Sequence, residues 1–462
     1  MMKRIALAAG AFVLSLAAAE LALRLLGLGA AVPAVSLDRH TASRLESGVF
    51  VFDRDLLWRE PSGPADDVHR GGHFVRVGDP MPAADGRLRI LCLGDSCVRL
   101  SRSNAPWSVR LEQELGPDRV VVRNASLPGY TTWQGLAWLR VQLAAWKPYL
   151  VLVSFGWNDH WRAAAWPDKE WPARLSDRRP RLLRLLGQAL RRRGGAAAHP
   201  LRVASEDYAA NLRAIARLVA DGGGRTVVLL PPSAINADNT ARYLDNGNIL
   251  PGDDPQDLHD RYLAAARAAA GGGGFTVADA SAWFASMGEP QALLEADGIH
   301  PTDAGHELLA QMLGPLVAGA AQPNAAAVGL GLLGQEAAGS GRWAEARTLL
   351  ARSAAAAPDD LGIALGLAWL LATCPDAAVR DGAAALAALE AAPAAEDRPE
   401  AWDVRGAALA AAGRFAEARA AADRALALLA ADGQGEGPFA AAVTARRGLY
   451  ASDQAFVMGE AR

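Results

Sequence analysis

Leu88-Arg-Ile-Leu-Cys-Leu-Gly-Asp-Ser96 is the stretch on which the fold turns. Leu88–Leu93 is a short apolar run closed by a glycine, the mark of a strand buried on both faces. Gly94 permits a tight turn, so Ser96 falls at the carboxyl edge of a sheet, on the turn into a helix. Outward from this stretch, strands and helices alternate. Trp107–Leu115 reads as a helix, Arg119–Arg123 as a second strand, and Thr132–Trp146 as a helix with a threonine N-cap. Tyr149–Ser154 is a third strand, Glu206–Ala220 a helix, and Thr226–Leu230 a fourth strand stopped by Pro231-Pro232. Leu258–Ala270 is a helix, Phe275–Ala278 a fifth strand, and Ala304–Leu316 the closing helix. Alternation of this kind predicts an α/β fold with a five-stranded parallel sheet covered on both faces. Chemistry in such sheets gathers at the carboxyl ends of the strands.

The chain has 462 residues, 51% of them hydrophobic, enough for two or three domains with packed cores. A net charge of −3 gives no electrostatic footprint for nucleic acid. Cys92, Cys97 and Cys374 are odd in number and scattered, so they form neither a disulfide framework nor a metal-ligand set. His69 and His73 are four apart but lack a third ligand, and they read as a solvated loop. No metal and no cofactor is called for.

A serine at that sheet edge is a poor nucleophile until a base takes its proton. Asp297-Gly-Ile-His300-Pro301, just ahead of the closing helix, offers one: three residues apart on one loop, the carboxylate can orient the imidazole and stabilise its cation. Asn124-Ala-Ser-Leu-Pro-Gly129 follows the second strand and Gly156-Trp-Asn158-Asp159 the third, at the same edge as Ser96. The N–H of Ser96, the N–H of Gly129 and the carboxamide of Asn158 can therefore converge on an oxyanion. Asp159 is expected to make structural hydrogen bonds, Cys97 to be a packing residue rather than a second nucleophile, and His306 to decorate the last helix rather than replace His300.

Gly94-Asp95-Ser96, Gly129, Gly156-Trp-Asn158-Asp159 and Asp297-x-x-His300, in that order over about residues 86–320, resemble the four blocks of the SGNH (GDSL) hydrolases. The resemblance implies a flavodoxin-like sheet and hydrolysis of carboxylic esters, including carbohydrate O-acetyl esters. It implies Ser96 as nucleophile and first oxyanion donor, Gly129 and Asn158 as the other donors, and Asp297 and His300 as acid and base. Cys97 departs from the pattern, standing where many relatives with this layout carry an aromatic. Acyl transfer to an envelope glycan uses the same residues and stays open, as does a vestigial hydrolase carried by an interaction scaffold. No Gly-x-Ser-x-Gly elbow occurs, which argues against the unrelated α/β-hydrolase fold.

Between the third strand and the next helix, Trp157, Trp161, Trp166 and Trp171 are followed by Arg174, Arg178, Arg179, Arg181, Arg184 and Arg191–Arg193. The insert reads either as a solvated flap with a packed tryptophan side or as a lid facing a membrane, an acidic substrate or a sugar. Residues 30–85 are a connecting segment, with Phe50, Phe52 and Trp58 packing on the next domain.

After Gln322 the sequence repeats. Gly341-Arg-Trp-Ala-Glu-Ala-Arg347 returns 72 residues later as Gly413-Arg-Phe-Ala-Glu-Ala-Arg419. With Gly334, Ala346, Pro358, Trp402, Gly406, Ala418 and Ala425 these resemble tetratricopeptide repeats over residues 324–431, with a capping helix at Phe439–Leu449. Residues 321–450 are thus expected to form an all-α repeat domain, able to take a protein partner. Gly329-x-Gly331-x-x-Gly334 has dinucleotide spacing but follows no strand, and reads as repeat packing.

Residues 1–29 form a targeting element. Lys3 and Arg4 precede the apolar run Ile5–Ala19, which as a helix spans about 22 Å, short of the roughly 30 Å hydrocarbon core. A signal peptide cleaved near Ala17–Ala19 and an uncleaved membrane anchor running on to Leu28, with Glu20 and Arg24 paired, both stay open. Either places the bulk of the chain outside the cytoplasm, in a bacterial envelope setting.

Overall fold

The computed structural model describes residues 2–26, 39–61, 72–79, 85–164, 166–175, 180–183, 185, 199–319, 324–392 and 395–459. It comprises two compact units. The first is Met1–Leu100, Leu115–Asp279 and Ala296–His300; the second is Ser101–Glu114, Ala280–Glu295 and Pro301–Arg462.

In the first unit β1 (Val51–Asp53) and β2 (Leu57–Arg59) form an antiparallel hairpin. The main sheet has β3 (Leu88–Gly94), β4 (Val120–Asn124), β5 (Leu150–Ser154), β6 (Arg225–Leu229) and β7 (Thr276–Ala278), all parallel, in the order β4-β3-β5-β6-β7. This is the flavodoxin-like order. Every residue of β5 is buried, which is why it reads as a continuous apolar run rather than an alternating one. Leu91, Leu93, Val151, Val153 and Val228 pack with Leu212 and Ile215 of helix Ser205–Asp221 and with Tyr262 and Leu263 of helix Pro255–Gly273. Each such aliphatic side chain contributes roughly 1.5–3 kcal/mol by leaving water.

The chain runs from β3 to β4 on one side and returns to β5 on the other, so β3 lies at the point where the winding reverses. Register pairs Cys92 with Asn124 and Gly94 with Ser154. The loops after β3, β4 and β5 therefore leave the sheet at one level, and a crevice for a ligand opens there.

Strand and helix positions follow the sequence reading closely. The segment before residue 85 does more than connect: Phe50 and Trp58 are buried in the core of the sheet unit, joined by Leu56 and Leu57. Phe52 is the exception, since it faces solvent at 47% exposure. Helix Ala237–Asn246, polar for most of its length, was not expected.

The tryptophan side of the insert is packed: Trp157, Trp161 and Trp171 are buried, and Trp166 meets Trp171 edge to face at 5.2 Å. Most of the arginines that follow lie outside the described residues. Arg181, which is described, donates to the carbonyl of Leu23 at 3.0 Å. The N-terminal helix Met2–Leu25 carries the expected Arg24–Glu20 pair at 2.8 Å. Among the described residues no helix is long and apolar enough to cross a membrane.

The C-terminal part of the second unit is helical throughout: Ala325–Gly339 with Trp343–Ala356, Leu361–Thr373 with Gly382–Ala391, and Pro399–Ala411 with Phe415–Ala431, then Pro438–Ala451. Trp343 and Phe415, 72 apart, each open the second helix of a pair. A Cβ on Gly334 would sit 2.7 Å from Leu350 Cγ, and one on Gly406 3.2 Å from the carbonyl of Ala418, so these glycines let the paired helices touch. Gly329 likewise admits Met287 Sδ, and Gly331 faces Ser353 Oγ. The dinucleotide-like spacing is helix packing. His306, expected on the surface of its helix, is instead buried, and its Nδ1 accepts from the Trp107 N–H at 3.2 Å.

Candidate active site

Gly94 ends β3 where a Cβ would lie 2.3 Å from Val98 Cγ2 and 2.6 Å from the carbonyl of Ser154. Only glycine lets the strand turn there. Asp95 then caps the short helix Ser96–Arg99, its Oδ1 accepting from the Cys97 N–H at 2.9 Å. Ser96 is the first residue of that helix, with its side chain free of the sheet.

The loop Asp297–His300 comes to it from 200 residues on. Gly298, at φ +77°, packs where a Cβ would meet the carbonyl of Ala234 at 2.5 Å, and its own carbonyl accepts from the Ala234 N–H at 2.9 Å. Asp297 Oδ1 accepts the N–H groups of Ile299 and His300, each at 3.0 Å. Its Oδ2 accepts from His300 Nδ1 at 2.7 Å, and His300 Nε2 lies 2.8 Å from Ser96 Oγ. The Tyr243 hydroxyl pins the loop by donating to the carbonyl of Asp297. Burial pushes the Asp297 carboxyl up, but the His300 bond and charge and the two N–H donors outweigh it and hold it at about 2. The carboxylate is thus ionised at any working pH, which fixes the proton on Nδ1 and leaves Nε2 to accept from the serine.

Gly129, at φ +84°, closes the loop after β4. The Asn124 carboxamide shapes that loop, donating to the carbonyl of Val98 (3.0 Å) and accepting from the Ser126 N–H (2.9 Å). Asn158, after β5, donates from Nδ2 to Asp95 Oδ2 at 3.0 Å and to the carbonyl of Tyr130 at 3.1 Å. An oxygen arriving beside Ser96 would share one of these N–H groups. Burial pushes Asp95 up to about 6, against the Cys97 N–H and the charge of His300. Ser96, Gly129, Asn158, Asp297 and His300 line one cavity of about 300 Å³. All five residues singled out from the sequence are therefore brought together.

Others take structural places. Asp159 is buried and accepts from the Thr132 N–H and hydroxyl at the start of helix Thr132–Trp146. Burial pushes it up to about 7. Cys97 is buried, its thiol donating to the carbonyl of Ile299 at 3.5 Å, and burial raises the thiol well above its ordinary value. That is a packing residue. His69 lies outside the described residues, and His73 stacks edge-on against Phe74. Among the described residues no cluster of His, Cys, Asp or Glu could hold a metal ion.

Sequence reasoning missed the pair beneath the Gly129 loop. Arg202 and Asp168, both buried, bond at 2.8 Å. Arg202 also donates to the carbonyl of Gly129 (2.7 Å) and to Gln134 Oε1 (3.1 Å), and Asp168 accepts from the Thr131 hydroxyl (2.9 Å). The guanidinium therefore ties the candidate oxyanion loop to the N-terminus of helix Thr132–Trp146.

Behind the site, Trp157 stacks on His259 at 3.9 Å, and His259 donates from Nε2 to the carbonyl of Pro231 at 3.0 Å. His160 contacts His259 at 3.4 Å. Burial pushes His259 down to about 4 and His160 well below its ordinary value. Unfolded, a histidine takes up a proton near pH 6.5, so these two remove stability as the pH falls below that point. Asp95 and Asp159, raised by burial, act in the opposite sense over the same range. The histidine contribution is therefore read as a difference. Between pH 7 and pH 5 the wild type should lose about 2 kcal/mol more unfolding free energy than His259→Gln. Denaturant midpoints at the two pH values check this, and identical pH dependence in the two proteins would contradict it.

A serine, a histidine and an aspartate bonded in sequence beside candidate donors define the serine acyl-hydrolase class. Residues 92–308 match the GDSL-like lipase/acylhydrolase family and form a domain of that family, so the chain carries an ester hydrolase. No match was found among curated proteins. Similar solved structures include a lipase/acylhydrolase from Enterococcus faecalis, 19% identical over 50% of this chain and 96% of its own, TM-score 0.35. An acetylxylan esterase from Geobacillus stearothermophilus is 18% identical over 48% and 90%, TM-score 0.32. A psychrotrophic esterase from a Pseudoalteromonas species is 16% identical over 48% and 92%, TM-score 0.31.

Proposed function

We propose that the chain is an extracytoplasmic carboxylesterase of the carbohydrate O-acetylesterase kind, working through an acyl-enzyme on Ser96. The observation that carries this reading is the unbroken chain Asp297–His300–Ser96, at 2.7 and 2.8 Å, opening into a cavity of about 300 Å³. His300 Nε2 takes the Ser96 proton as Oγ attacks the ester carbonyl carbon. The oxyanion is met by the N–H groups of Ser96 and Gly129 and by the Asn158 carboxamide, each such donor contributing roughly 3–4 kcal/mol. The intermediate collapses, the alcohol leaves with the proton from His300, and the acyl group stays on Ser96. Water then attacks, His300 again takes the proton, and the acid leaves as the proton returns to Ser96.

The extracytoplasmic setting is supported by Lys3 and Arg4 ahead of the apolar Ile5–Ala19 run. The C-terminal helices are read as tetratricopeptide-like repeats, supported by the 72-residue recurrence and by the helix contacts at Gly334 and Gly406. Such an array suits a protein partner. A fluorophosphonate probe followed by peptide mass spectrometry tests the core of the proposal. One adduct, on Ser96, is expected; a protein that hydrolyses p-nitrophenyl acetate while Ser96 stays unlabelled would refute it.

A further inference from the structure

Most arginines of the sheet unit that lie near the site are matched with acids: Arg59 with Asp53, Arg99 with Glu60, Arg162 with Asp253, Arg202 with Asp168. Two are not. Arg44 and Arg242 both line the cavity that holds Ser96, and among the described residues neither guanidinium has an acidic partner. Arg44 lies 5.5 Å over the ring of Phe50, and Arg242 is exposed at the turn of helix that carries Tyr243. Among the residues lining the cavity the acid is Asp297, and its charge is already engaged by His300. The cavity mouth therefore carries excess positive charge.

Asn246 and Asn248, whose carboxamides bond to no other described residue, also line the cavity, as does Trp161, its ring held at 5.0 Å from that of Tyr243. Guanidinium forks match oxyanions in pairs of hydrogen bonds. Carboxamides supply both donors and acceptors, as hydroxyl-rich ligands require. An aromatic face beside a few convergent polar groups is the usual wall of a small-molecule site.

We propose that the alcohol half of the ester is an anionic, hydroxyl-rich group of the acidic-saccharide type, its carboxylate or phosphate held by Arg44 and Arg242. This rests on the esterase reading above. The anion is drawn in by two cations at the rim, so recognition weakens with ionic strength.

Four esters separate the outcomes: O-acetylated tri-galacturonate carries carboxylates, O-acetylated glucose 6-phosphate a phosphate, O-acetylated xylotriose no charge, and p-nitrophenyl acetate reports the chemistry alone. At low salt, kcat/KM on at least one acidic ester should exceed that on the xylotriose ester by about tenfold. Which acidic ester is preferred identifies the anion. In R44Q/R242Q the acidic-to-neutral ratio should fall about tenfold, and raised salt should lower it in the wild type. Equal rates on neutral and acidic esters, or a ratio unmoved in the double variant, would overturn the proposal while p-nitrophenyl acetate hydrolysis left the esterase reading standing. Loss of p-nitrophenyl acetate hydrolysis together with an unlabelled Ser96 would sink that reading instead. Calorimetry on Ser96→Ala protein tests recognition without turnover. Binding of the preferred acidic ester, weakened by the arginine substitutions, supports the proposal, and no binding overturns it.

Discussion

Ser96→Ala should lower kcat on p-nitrophenyl acetate by about 10⁴–10⁶-fold while leaving the folded protein intact. In the proposed mechanism the hydroxyl becomes covalent, and no neighbour stands in for it. Cys97 adjoins it in sequence, but its thiol is buried, bonded to the carbonyl of Ile299 and held protonated. His300→Ala should cost nearly as much, and the double variant little more than either single one, because nucleophile and base act as one device. Asp297→Asn should also be severe, about 10⁴-fold, since an amide in place of Oδ2 no longer fixes the proton on Nδ1. Steady-state kinetics on the four proteins check the set. Additive losses, or a Ser96→Ala protein as fast as the wild type, would place the chemistry elsewhere.

Arg202→Met should destabilise the sheet unit by about 3–5 kcal/mol, as removal of one partner from a buried ion pair does. Asp168 would be left buried with the Thr131 hydroxyl as its remaining side-chain donor among the described residues. The carbonyl of Gly129 would lose its bond at 2.7 Å, so kcat should fall as well, the loop no longer being held under the oxyanion. Arg202→Met combined with Asp168→Leu should recover most of the stability, because the cost lies in the stranded charge. It should not recover kcat, because the Gly129 carbonyl stays unheld. Urea unfolding and kinetics on the single and double variants separate the two effects. A double variant no more stable than the single one would contradict this account.

The sheet was legible because parallel strands are buried on both faces. Leu88–Leu93 and Leu150–Ser154 need no partner to announce themselves. The triad and its candidate donors were legible because each follows a strand or precedes a helix within a few residues. What escaped depends on contacts distant in sequence. Asp168 stands among tryptophans, and Arg202 follows a long arginine-rich insert, so nothing local marks them as one buried pair. Helix Ala237–Asn246 is polar on average and buries Asn239 and Tyr243 rather than its aliphatic residues, which hid Arg242 and Tyr243 at the cavity. The hairpin Val51–Arg59 is too short for periodicity to reveal, yet its Leu57 and Trp58 are fully buried.

The last boundary between the two units along the chain falls between His300 and Pro301. His300 ends one segment of the first unit, and the next residue begins a segment of the second, which also gathers Ser101–Glu114 and Ala280–Glu295. Helix Asp303–Ala318 packs on helix Ala325–Gly339, and Met287 fills the notch left by Gly329. Cutting the chain near residue 320 would therefore strip helix Asp303–Ala318 of its partner and leave that notch open.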